Sequence, residues 1–69
     1  MKLLDVVALL DDVPEKALRR GQVGTIVEVL APGVFEVEFS DLEGRAYATA
    51  ALPATRLMVL HYQPASALD

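Results

Sequence analysis

Cysteine and tryptophan are absent from this chain, and histidine occurs once, at His61. The missing cysteines exclude disulfides and every thiolate metal site. With a single imidazole, a transition-metal site would need several carboxylates around His61. Nucleophilic catalysis would need a Ser, Cys or Thr beside it and an orienting carboxylate, and no such constellation is legible. The sequence therefore reads as non-enzymatic and without cofactor or metal. Basic residues are scarce too: six Lys and Arg stand against ten Asp and Glu, for a formal net charge of −4. Nucleic-acid binding runs on phosphate neutralisation by Lys and Arg, so this balance argues against it.

Long apolar runs are also missing; none approaches the ~18 residues needed to span a bilayer. The apolar opening Met1–Leu10 is interrupted by Asp5 and closed by Asp11-Asp12, with no small-residue cleavage site after it. It reads as a first strand rather than a secretory leader, and the cytoplasm is the expected compartment. Gly21 and Gly24 could suggest a phosphate loop, but neither Gly-x-x-x-x-Gly-Lys-Ser/Thr nor Gly-x-Gly-x-x-Gly before a helix is present.

What is present is apolar residues, 54% of the 69. A chain of this size buries only roughly 60% of the surface that its unfolded form exposes. With disulfides and metal excluded, self-association is the remaining stabilising device, and a homo-oligomer or a protein partner is expected.

The pattern is β throughout. Leu4–Leu10 reads as a strand, and residues 11–20 as a long charged loop in which Pro14 starts a helical turn, with Asp12 as its cap. Val23–Leu30 has a strong strand composition, and Ala31-Pro32-Gly33 reads as a turn. Phe35-Glu36-Val37-Glu38-Phe39 alternates strictly, placing the two Phe and Val37 inside and the two Glu outside. Asp41–Gly44 reads as a second turn, and Arg45–Ala51 as a strand with its alanines inward and Arg45, Tyr47 and Thr49 outward. Pro53 excludes a mid-sheet position, so Leu52–Arg56 reads as a short 3-10 turn before a last strand, Leu57–Tyr62. The fold expected is all-β: a small five-stranded SH3-like barrel over residues 1–62, with a flexible C-terminal tail at 63–69. An OB-like barrel is the runner-up.

The first and last strands are apolar on both faces, so one face is left for a partner or for loops to cover. Leu10, Ile26, Met58 and Leu60 are the candidate apolar contacts, with Arg45, Tyr47 and Tyr62 beside them. Glu36 and Glu38 form a solvated acidic face suited to a basic partner. A groove for Pro-rich peptides needs several aromatics, and with both Phe committed to the core too few remain.

The stretch Arg19-Arg20-Gly21-Gln22-Val23-Gly24-Thr25-Ile26-Val27-Glu28-Val29 resembles the KOW motif of ribosomal and transcription-elongation proteins. That resemblance implies an SH3-like barrel and offers a nucleic-acid-associated module as the alternative function. Glu36, Glu38, Asp41 and Glu43 crowd the next hairpin, and no basic stripe follows.

More of the chain, Leu3 to Leu60, resembles a family of small bacterial domains without an assigned activity. The likeness lies in Leu3-Leu4-Asp5-Val6-Val7-Ala8-Leu9, Leu18–Val29, Phe35–Phe39 and Leu52-Pro53-Ala54-Thr55-Arg56-Leu57-Met58-Val59-Leu60. Genes of that family often travel as mobile accessory cassettes, some beside toxin-like genes. The resemblance implies an accessory, antitoxin or immunity-type interaction protein and carries over no site residues.

Overall fold

The computed structural model describes residues 1–67. Five strands run in chain order: β1 (Val6–Leu9), β2 (Val23–Ala31), β3 (Val34–Ser40), β4 (Ala46–Pro53) and β5 (Leu57–Val59). All pair antiparallel in one sheet of order β4-β3-β2-β1-β5. The helical content among the described residues is three 3-10 turns, Pro14–Lys16, Ala54–Arg56 and Ala65–Ala67. The sheet is not closed: β4 and β5 each pair with a single strand and form its two edges.

One face of the sheet carries the core. Val7 and Leu9 of β1, Ile26 of β2, Phe35, Val37 and Phe39 of β3, Ala50 and Leu52 of β4, and Leu57 of β5 are all buried. The alternation read over Phe35–Phe39 is what the strand shows, with Glu36 and Glu38 on the opposite, half-buried face. Ile26, expected as a contact residue, is fully buried. It pairs with Val37, and directly opposite residues share a face, so it belongs to the core.

The long loop after β1 is less open than its charge suggests. Val13 and Leu18 insert into the core, each close to fully buried. Their backbones close the loop at its base, Val13 N–H to Leu18 O at 2.9 Å and Leu18 N–H to Val13 O at 3.1 Å. Pro14 does open a 3-10 turn, but Val13 is its cap, with no side-chain hydrogen bond. The Asp12 carboxylate instead accepts the Arg20 amide at 2.8 Å. Arg56 ties this loop to the turn before β5, its Nε 3.0 Å from Asp11 Oδ1 and its Nη2 2.7 Å from the Asp12 carbonyl.

Two glycines of the Gly21–Gly24 segment are needed for different reasons. Gly21 has φ +88° with open space around it, so it serves the backbone conformation alone. A Cβ on Gly24 would lie 2.7 Å from Val37 Cγ1 and 2.9 Å from the Glu38 carbonyl oxygen. Gly24 is the point where β2 passes close over β3.

The 3-10 turn expected over Leu52–Arg56 is confined to Ala54–Arg56; Leu52 and Pro53 belong to β4, where a terminal proline is allowed because β4 is an edge strand. The first and last strands end sooner than their apolar runs: Leu4 and Leu10 lie outside β1, and 60–62 outside β5. Of the tail expected at 63–69, Ala65–Ala67 makes a 3-10 turn; the final two positions lie outside the described residues.

Candidate interaction surfaces

The face of the sheet opposite the core splits into an apolar and an acidic half. Register places Met58 of β5 beside Ala8 of β1, and Ala8 beside Val23 of β2. Met58 and Val23 are 49% and 44% exposed while Ala8 between them is nearly covered, so two large side chains flank a small one. Leu10 extends this patch from the end of β1 and is exposed as well. Apolar runs on both faces of β1 and β5 thus resolve into a core face, Val7, Leu9 and Leu57, and an outer face that solvent reaches at Met58 and Leu10. Leu60 is half-buried and its amide donates to Val6 O at 2.9 Å, continuing the β1–β5 pairing by one residue.

The acidic half lies on β2 and β3. Glu28 stands directly opposite Glu36, and Glu38 opposite Thr25. Sequence reading picked out Glu36 and Glu38 but not Glu28, because a bulge between Ile26 and Glu28 shifts the outward positions of β2. Val27 and Leu30, the residues inserted at the two bulges of β2, are exposed toward the hairpin tip, and so is Val29, which pairs with Phe35 on the core side.

Tyr47 does not share a face with Arg45 and Thr49 as expected. A register shift between Phe39 and Ser40 makes it an inserted residue, and bulges re-aim side chains. Its ring centroid sits 6.5 Å from that of Phe39, and Gln22 Nε2 donates to its hydroxyl at 3.1 Å. Half-exposed, Tyr47 caps the end of the core. Arg45 is exposed in the preceding turn, where Asp41 organises the backbone by accepting the Glu43 and Arg45 amides at 2.9 Å. Tyr62 is 78% exposed beyond β5.

His61 lines a pocket of about 310 Å³ with Lys2, Asp5, Val59, Leu60, Gln63 and Ala67. Asp5 already accepts the Lys2 amide at 2.9 Å, which holds the N-terminal turn against this pocket. Among the described residues no group of three His, Cys, Asp or Glu is placed to hold a metal ion, and no helix is long and apolar enough to cross a membrane.

No curated protein and no solved structure matches the chain. Residues 3–59 match a family described as a domain of unknown function, DUF4926, a span that begins just before β1 and ends with β5. Covering all five strands, that match places the chain in the DUF4926 family.

Proposed function

We propose that this domain is a non-enzymatic, SH3-like protein-interaction module acting in the cytoplasm, an accessory protein of the antitoxin or immunity type. The SH3-like description draws support from the strand order, from the long, twice-bulged β2 shared by both halves of the sheet, and from the 3-10 turn between β4 and β5. The observation that carries the interaction reading is the outer-face row Met58–Ala8–Val23 with Leu10 at its end. Large exposed apolar side chains grouped on one face, with polar residues beside them, are a common form of docking surface. The neighbouring Glu28, Glu36 and Glu38 suit a partner with a basic rim.

The test is a pull-down from source cells with tagged wild type and with Met58→Lys, both checked for folding by circular dichroism. A specific protein retained by wild type and lost with Met58→Lys supports the proposal; equal retention by both overturns it. Retention of wild type on an RNA column above moderate salt would favour the KOW-like alternative instead.

A further inference from the structure

The β4 edge is unusually open to strand addition. It is eight residues long, carries no charged side chain, and pairs on one side only. Edge strands are normally blunted by shortness, charge or proline, and β4 has proline only at its end. The free backbone groups follow from the hydrogen-bond alternation of an antiparallel ladder. Asp41 N–H donates to Arg45 O, and Ala54 N–H to Gly33 O at the other end of the β3–β4 ladder. Odd-numbered β3 residues therefore bond β4, through Ala48, Ala50 and Leu52. The N–H and C=O groups of Thr49 and Ala51 point off the edge. The bulge at Tyr47 bounds this stretch on one side, and Pro53, without an N–H, on the other.

We infer that β4 pairs antiparallel with β4 of a second copy, Thr49 opposite Ala51 of the other chain and Ala50 facing itself across a two-fold axis. This register uses all four free donors and acceptors of each edge segment at once, in four hydrogen bonds. A register centred on Thr49 would set Ala51 against the bulge. The small side chains of Ala48, Ala50 and Ala51 allow close approach, and two chains of charge −4 meet along a neutral strip. The nearest acids, Glu38 of one copy and Glu36 of the other, are then three strand spacings apart, about 14 Å, beyond the ~8 Å screening length at physiological salt. The result is one ten-stranded sheet across two chains. The Met58–Ala8–Val23 surface stays free, so the pairing stands or falls separately from the proposed partner binding.

Sedimentation equilibrium reads the proposal. Wild type should rise from 7.5 kDa toward twice that mass with concentration. Ala51→Pro, which removes a donor the fold does not use, should remain folded and stay at the monomer mass. Because the chain has no native cysteine, mixing Thr49→Cys with Ala51→Cys under mild oxidation should give the mixed cross-linked dimer in excess over either homodimer. A wild type that stays at 7.5 kDa up to millimolar concentration overturns the inference and leaves the edge to a strand of another protein. So does a folded Ala51→Pro that still dimerises, or cross-linking without preference for the mixed pair.

Discussion

At the scale of single residues, Gly21 and Gly24 separate two uses of glycine that a motif reading merges. A methyl group at Gly24 meets Val37 Cγ1, the Glu38 carbonyl oxygen and Phe39 Cδ1, all within 3.0 Å. One of these is backbone, so the strands themselves must part. Gly24→Ala should cost about 1–3 kcal/mol, the usual range for forcing extra volume into a packed site. Gly21→Ala meets nothing and should cost only the left-handed backbone term, about 1–2 kcal/mol. Urea unfolding of both variants checks this, and the diagnostic is structural. Amide shifts in Gly24→Ala should spread across β2 and β3, whereas those in Gly21→Ala should remain local to the turn.

Among the elements, the β1–β2 loop is the one whose role its composition conceals. Its charged residues face water, yet Val13 and Leu18 fasten it to the core. Leu18→Ala should therefore destabilise the domain by about 2–5 kcal/mol, as for a core leucine, rather than the few tenths expected of a loop position. Urea midpoints measure the difference, with Ala17→Ser as an exposed control. The strands were legible because period-2 alternation directly encodes a sheet with one buried face, most plainly in Phe35–Phe39. Three features were not. Bulges at Val27, Leu30 and Tyr47 break the period, so the exposure of Val27 and Leu30 and the turn of Tyr47 toward Phe39 required the register. Two apolar residues in a charged loop carry no periodicity at all. Ile26 looked like a contact residue because its strand is apolar at consecutive positions, and only its pairing with Val37 assigns it to the core.

For the whole molecule, the surfaces fall in separate places: the apolar half of the outer face on β5, β1 and the start of β2, the acidic half further along β2 and on β3, and the open edge on β4. One chain can thus engage a partner through one surface and a second copy through another. If the edges pair, folding is linked to association, and the thermal midpoint should rise with protein concentration in wild type but not in Ala51→Pro. Differential scanning calorimetry over a hundredfold range of concentration measures this, and a midpoint independent of concentration in wild type would count against the linkage. The closed base of the β1–β2 loop has a practical consequence. Since the mutual hydrogen bonds of Val13 and Leu18 close the loop at its base, the segment Pro14–Ala17, exposed throughout, stands clear of the core. An epitope or fluorophore acceptor grafted between Glu15 and Lys16 would report on the protein without disturbing either contact surface.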